Sequence, residues 1–174
     1  DTGRMSEPED IVEAVCEVLK PVPQDLAGKR VVITAGPTHE PIDPVRFIGN
    51  RSSGKMGIAL AGEAARRGAA VKLVLGPTSL NVPRGVECVR VQTAAEMLQA
   101  ALSAFQTADA AICAAAVADY TPATPADHKL KKANERLDRI ELVETVDILA
   151  ELSRQKGERC VIGFAAETDN VVEY

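Results

Sequence analysis

Residues 30–57 read Arg-Val-Val-Ile-Thr-Ala-Gly-Pro-Thr-His-Glu-Pro-Ile-Asp-Pro-Val-Arg-Phe-Ile-Gly-Asn-Arg-Ser-Ser-Gly-Lys-Met-Gly, and this stretch decides the fold. Its first six residues, Arg30 to Ala35, are a β-branched run of the kind buried in a parallel sheet. Gly36-Pro37 stops the strand, and a long loop rich in Gly, Pro and Asn follows. The loop closes at Ser52-Ser53-Gly54, where apolar Met56, Ile58, Ala59 and Leu60 start a helix. Strand, loop and helix in that order open a βα unit.

The rest of the chain repeats the alternation. Arg66 and Arg67 place cations on the helix C-terminus and Gly68 supplies its C-cap. Strands are predicted over 71–75, 86–91, 108–117 and 160–165, the last again a buried strand, with helices over 94–105 and 146–155. The expected class is therefore α/β. It is a Rossmann-like, doubly wound, mostly parallel sheet with right-handed crossovers and helices on both faces. Residues 139–143 add a short strand and a small antiparallel extension, and 121–134, with its prolines and lysines, reads as a flexible excursion. Upstream, Ile11, Val12, Ala14, Val15, Val18 and Leu19 recur at helical spacing until Pro21 and Pro23. Residues 1–24 thus read as a linker or docking helix, 25–174 as the main domain, and 169–174 as a helix only just begun, so that the chain is expected to be cut inside its fold.

A length of 174 residues with 46% hydrophobic content fits one domain with a sizeable core. The net charge of −5 argues against a nucleic-acid or anionic-membrane partner, both of which need a basic footprint. It leaves room for a compact anionic metabolite held by local lysines. Cys16, Cys88, Cys113 and Cys160 lack C-x-x-C spacing and read as reduced core residues. No apolar run approaches the ~20 residues of a membrane span, and the N-terminus has no basic-then-apolar pattern, so a cytoplasmic protein is expected.

In open parallel sheets the ligand lies beyond the carboxyl ends of the strands, where strand order reverses. That rule sets 36–57 against 114–120. Gly49 to Lys55 matches the phosphate-loop pattern, but Met56 stands where a magnesium-binding hydroxyl is needed, and the stretch lies far from its strand. The dinucleotide fingerprint G-x-G-x-x-G is missing as well. What remains is a set of small residues at a helix N-terminus, where a phosphate can approach backbone N–H groups. Ser52, Ser53 and Gly54 could equally be a plain helix cap, and Asn50 and Arg46 plain solvated loop residues. On the facing side, Ala114-Ala-Ala-Val-Ala-Asp119-Tyr120 has side chains small enough for a ligand to lie against the backbone. Asp119 either meets a ligand or a hydrated magnesium there, or caps a turn. Lys129-Leu-Lys131-Lys132 is either a lysine loop able to close over a triphosphate or a solvated charge run. His39 and His128 have no metal-ligand spacing.

Five ordered motifs resemble phosphopantothenoylcysteine synthetase, the ligase half of the bacterial bifunctional coenzyme A biosynthesis flavoprotein. They are Gly36-Pro-Thr-x-Glu-Pro-Ile-Asp-Pro-Val-Arg46-Phe, Asn50-x-Ser-Ser-Gly-Lys-Met-Gly57, Ala114-Ala-Ala-Val-Ala-Asp-Tyr120, Lys129-x-Lys-Lys132 and Gly163-Phe-Ala-Ala-Glu-Thr168. The resemblance runs from about Lys29 to Tyr174. It implies that 25–174 is a nucleotide-dependent ligase joining 4′-phosphopantothenate to cysteine, with CTP as co-substrate in the bacterial type and Mg²⁺ as cofactor. The carboxylate would first be joined to the α-phosphate of CTP with loss of pyrophosphate, and the amine of cysteine would then displace CMP.

The resemblance also implies residue roles. Ser52, Ser53, Gly54 and Gly57 would contact the triphosphate, with Gly36 nearby. Lys129 would bind the nucleotide and support activation, Phe164 would lie against it, and Val146-Asp147-Ile148 would meet the base through the backbone. Asn50 would hold the pantothenate arm and the intermediate for attack by cysteine, Ala115, Ala116 and Asp119 would line the same arm, and these three with Val117 would also meet the nucleotide. Arg46 would reach the substrate phosphate of a neighbouring subunit in a homodimer. The N-terminal helix would join a flavin-dependent decarboxylase. Two departures stand out: Val146 replaces the family's usual Pro, and the chain stops at Tyr174 before a family helix with further nucleotide-binding lysines. Two other readings remain open on the residues alone: a Rossmann-like NAD(P) or flavin oxidoreductase module, and a non-catalytic nucleotide-binding domain.

Overall fold

A computed structural model of the protein describes residues 5–19, 21–131 and 138–165. Lys132 of the lysine run, Ala166, Glu167 and Thr168 of the last motif, and the helix start expected over 169–174 lie outside these residues. The elements are α1 (Pro8–Leu19), β1 (Arg30–Ala35), β2 (His39–Pro41), β3 (Phe47–Gly49), α2 (Lys55–Arg66), β4 (Ala70–Leu75), β5 (Glu87–Arg90), α3 (Ala94–Phe105), β6 (Ala110–Cys113), β7 (Tyr120–Pro122), β8 (Leu142–Glu144), α4 (Ile148–Arg154) and β9 (Cys160–Gly163).

Five strands form one parallel sheet in the order β5-β4-β1-β6-β9. The chain builds outward from β1 to one side and then returns to build the other, so strand order reverses between β1 and β6. Side chains of a strand alternate between faces, and β1 shows both cores at once. Val31, Ile33 and Ala35 pack with Ala61 and Ala64 of α2, whereas Val32 packs with Met97, Ala101 and Phe105 of α3 and with Ile148 and Leu152 of α4. Both faces of the sheet are thereby covered, as a doubly wound fold requires.

The helices start in different ways. Thr93 and Glu96 form a capping box at α3: Thr93 Oγ1 accepts from the Glu96 amide at 3.2 Å, and the Glu96 carboxylate accepts from the Thr93 amide at 3.3 Å. Buried Glu40 adds a third acceptor there, taking the Ala94 N–H at 2.8 Å. Asp147 caps α4, accepting from the Ala150 amide at 3.0 Å. At α2 the N-cap is Gly54, at φ 77°, and no side chain caps it.

The structure corrects several details. The fourth main strand ends at Cys113 rather than at residue 117. Beyond it the Ala114 and Ala116 amides still donate to the carbonyls of Thr34 and Gly36 (3.1 and 2.9 Å), but left-handed Gly36 bends the partner away from strand geometry. The strand expected to be buried over 160–165 is the exposed β9, because it stands at the edge of the described sheet. Cys16 and Cys160 are correspondingly exposed rather than in the core. The short strand expected over 139–143 is β8, which pairs antiparallel with β7, and the loop after β1 contains an unforeseen antiparallel pair, β2 with β3. The excursion after β7 is pinned in its described part: the Ala123 amide donates to Glu141 and the Ala126 amide to Ile42, both at 2.9 Å. On α1, Ile11, Val12, Val15 and Leu19 are exposed. Among the described residues no helix is long and apolar enough to cross a membrane.

Candidate functional site

The reversal of strand order opens a cleft of about 1150 Å³ at the carboxyl ends of β1, β6 and β9. Twelve residues singled out from the sequence meet on its walls: Asn50, Ser52, Ser53, Gly54, Ala115, Ala116, Val117, Asp119, Val146, Asp147, Ile148 and Phe164. The two facing segments are thus brought together with the α4 start and the end of β9. Gly36, Gly57, Arg46 and Lys129 are not on the cleft wall.

One wall is the start of α2. Ser52 Oγ accepts from the Gly54 amide at 3.3 Å and Ser53 Oγ from the Lys55 amide at 3.4 Å, so the serines shape the turn without capping the helix from its N-cap position. Gly36 and Gly57 serve this wall from behind. A Cβ on Gly54 would lie 3.2 Å from Gly36 Cα, and one on Gly57 would lie 2.4 Å from Ala35 Cβ. Glycine at these points lets the helix sit against the end of β1, which aims its first-turn N–H groups at the cleft. An anion there is favoured by those groups and by the helix dipole.

The opposite wall is 114–119. Asn50 Nδ2 donates to the Val117 carbonyl at 2.8 Å and so ties the two walls together. Thr38, fully buried, accepts the Ala118 amide at 2.9 Å, while Thr145 donates its hydroxyl to the Ala118 carbonyl at 2.6 Å and its amide to the Asp119 carbonyl at 2.8 Å. The backbone of this wall is therefore held from both sides, with the Asp119 side chain exposed in the cleft.

Arg46 lies outside the cleft, in an ion pair with Asp43 and donating to the Leu130 carbonyl at 2.8 Å. Burial pushes the Asp43 carboxyl up, but hydrogen bonds from the Arg46 side chain and from the amides of Val45, Arg46 and Leu130 outweigh it and hold the group well below the usual carboxylate range. Lys129 is exposed beside this clamp.

Sequence reasoning missed Thr34, Thr38, Gly76, Thr78 and Cys113. Thr34 and Cys113 line the cleft floor, and Thr78 Oγ1 donates to the Ser53 carbonyl at 2.9 Å. One signal was available: Gly36-Pro37-Thr38 after β1 recurs as Gly76-Pro77-Thr78 after β4, and the two turns touch. Burial pushes the Cys113 thiol up to about 11, helped by the nearby Asp147 carboxylate. At pH 8 only about one Cys113 in a thousand is then a thiolate, too few for a nucleophile. Iodoacetamide is expected to label exposed Cys16 and Cys160 to completion before Cys113 reacts, as followed by intact-mass analysis with peptide mapping; labelling of Cys113 at their rate would contradict this environment.

Residues 26–174 match the family model described as DNA/pantothenate metabolism flavoprotein C-terminal domain. The chain is 51% identical, over 99% of its length, to the coenzyme A biosynthesis bifunctional protein CoaBC of Bacillus subtilis strain 168. It is 50% identical over 98% of its length to a cysteine/cysteine sulfinic acid decarboxylase from an unknown prokaryotic organism. It spans 43% and 48% of those two proteins, so their names describe polypeptides of which this chain matches less than half. The crystal structure of the C-terminal domain of a coenzyme A biosynthesis bifunctional protein CoaBC superposes with a TM-score of 0.74 at 52% identity, covering 86% of this chain and 70% of that one. With a family model matched across residues 26–174 and 52% identity to a solved C-terminal domain over 86% of its length, the chain belongs to the DNA/pantothenate metabolism flavoprotein C-terminal domain family.

Proposed function

We propose that this chain is a phosphopantothenate–cysteine ligase that uses CTP, releasing CMP and pyrophosphate. The observation that carries the reading is the tie between Asn50 and Val117, which joins an anion-accepting helix start to a wall of small residues within one cleft. A ligase of this kind must hold a triphosphate and an acyl chain edge to edge, so that the carboxylate meets the α-phosphorus. Its membership in a family that includes the CoaBC C-terminal domain supports the same assignment.

In this reading the α2 start takes the triphosphate through Ser52, Ser53, Gly54 and the Gly57 amide, with Gly36 behind them. Val146, Asp147, Ile148 and Phe164 take the base and ribose. Ala115, Ala116 and Asp119 line the acyl arm, Val117 meets the nucleotide, and Asn50 sits between the two ligands. Lys129, on its exposed segment, neutralises phosphate charge on closure. Arg46 binds the phosphate of the acyl substrate held by the other subunit of a homodimer. The acidic side chains fit a magnesium ion that keeps most of its water: Asp119 lines the cleft beside Glu144 and the helix-capping Asp147, and no cluster of three metal-ligating side chains exists among the described residues. When bound with the nucleotide, magnesium supplies charge neutralisation on the phosphates. In the parent polypeptide the domain is joined to a decarboxylase and works in the cytoplasm.

The test is a panel of CTP, ATP, GTP and UTP, each with magnesium, phosphopantothenate and cysteine. Pyrophosphate release that needs both CTP and phosphopantothenate, with CMP and the amide as products, is the expected result. Tight NAD(P) or flavin binding, or CTP bound and never consumed, would overturn it.

A further inference from the structure

Asp43 has no role in the reaction as proposed above, yet it is among the few buried charged side chains of the described chain, with its carboxylate fully covered. A buried carboxylate is retained only where donors satisfy it, and here every partner is a donor. Oδ1 accepts from the amides of Val45 and Arg46 at 2.8 and 2.9 Å. Oδ2 accepts from Arg46 Nε at 2.9 Å, from Arg46 Nη2, and from the Leu130 amide at 3.2 Å. The same guanidinium returns a bond to the Leu130 carbonyl, and the Ala126 amide donates to Ile42. Three of these bonds, those through Leu130 and Ala126, span more than eighty residues of sequence. They fasten the segment carrying Lys129 onto the turn between β2 and β3.

We propose that Asp43 is a positioning residue that fixes Arg46 and the Lys129 segment as one unit, so that the group meant for the acyl substrate's phosphate and the cation meant for the nucleotide are presented together. The kinetic part rests on the ligase reading; the structural part does not. Because all partners donate, isosteric Asp43→Asn must turn an N–H against at least two other donors, whichever way the amide is flipped. It keeps the shape of the turn and removes the logic of its bonds. Leu130→Pro removes a single donor, the amide reaching across from the lysine segment, and leaves the Asp43–Arg46 pair in place.

Hydrogen exchange and steady-state kinetics read the two parts separately. In Asp43→Asn the amides of Val45, Arg46 and Leu130 are expected to exchange at least ~10-fold faster, with the sheet amides of Ile33 and Val74 unchanged. The KM values for phosphopantothenate and for CTP are expected to rise ~10- to 100-fold, the loss typical of a charge-assisted hydrogen bond, with kcat within about threefold. Leu130→Pro is expected to raise the KM for CTP alone, which a general loss of stability would not do, and it serves as the test should Asp43→Asn fail to fold. Unchanged exchange at Leu130 in Asp43→Asn would overturn the clamp. Faster exchange with either KM at its wild-type value would overturn the positioning role. If wild-type protein shows no ligase turnover, the ligase reading fails while the exchange result still decides the clamp.

Discussion

Replacing Asn50 with alanine is expected to separate the two halves of the reaction, leaving pyrophosphate release nearly intact while amide formation falls ~10²- to 10³-fold, as when one preorganised donor is lost. Asn50 lies two residues before Ser52, at the end of the loop that delivers the α2 start, and its Nδ2 bonds the Val117 carbonyl at 2.8 Å on the other wall. A carboxamide bridging the walls is next to both proposed ligands and to the bond between them. In the proposed reaction, formation of the acyl-cytidylate would rely chiefly on the α2 start and the cations, which the substitution leaves alone. Attack by cysteine develops negative charge on the acyl oxygen and requires the mixed anhydride to hold still, and both demands fall on a fixed amide. The fold should survive, since losing an exposed hydrogen bond costs only ~0.5–1.5 kcal/mol. Single-turnover quench with mass detection of the acyl-cytidylate checks this. Wild-type product rates would remove the role from Asn50. Equal loss of both half-reactions would assign its amide to holding the loop on Val117.

Much of this arrangement was legible because it depends on short-range chemistry. Apolar, β-branched runs gave β1 and β4, and helical periodicity gave α3. The strand reversal, and with it the location of the cleft, followed from the order of elements. What escaped was decided by long-range contacts. The sequence run 108–117 looks uniformly strand-like, and only the bend at Gly36 on the neighbouring strand ends β6 at Cys113. Residues 121–130 have the composition of a flexible loop, but their order comes from Asp43, Arg46 and Ile42, far away in the chain. Within the site, residues on the cleft walls were found, whereas Thr34 and Cys113 on its floor, and threonines acting on backbone from behind it, such as Thr38 on Ala118 and Thr78 on Ser53, were not. A threonine satisfied by a distant amide looks like any other threonine in sequence.

Gly76 is the extreme case of such hidden support, and Gly76→Ala is expected to destabilise the protein more than any substitution in the cleft wall itself. A Cβ there would stand 1.8 Å from the Pro37 carbonyl oxygen and 2.9 Å from its carbon. The comparable contact at Gly57, 2.4 Å, is against the Ala35 methyl group. Neither partner can rotate away, since an alanine Cβ is as fixed to its backbone as a carbonyl oxygen, but the contact at Gly76 is the shorter, and the Pro37 carbonyl cannot move without taking its turn with it. This turn is bonded on every side: the Gly76 amide donates to Ala35 at 2.9 Å, the Ala116 amide to Gly36 at 2.9 Å, and the Thr38 amide to Ala116 at 3.2 Å. Overpacking in a fixed environment costs ~1–3 kcal/mol and occasionally more, and this contact belongs at the upper end. At ~2–4 °C per kcal/mol for a chain of this size, Tm should fall by ~6–12 °C. Gly62→Ala supplies the control. It lies inside α2, its Cβ would make ordinary contact with Pro83 at 3.4 Å, and a helical Gly→Ala exchange stabilises by roughly 0.5–1 kcal/mol. Calorimetry on the pair should give shifts of opposite sign. Any Pro37 displacement passes through Thr38 to Ala118, so the surviving Gly76→Ala protein should also bind the acyl substrate more weakly, whereas Gly62→Ala should not. A Tm within 2 °C of wild type for Gly76→Ala would mean that the two Gly-Pro-Thr turns do not touch as described, and the wall they support would need another account.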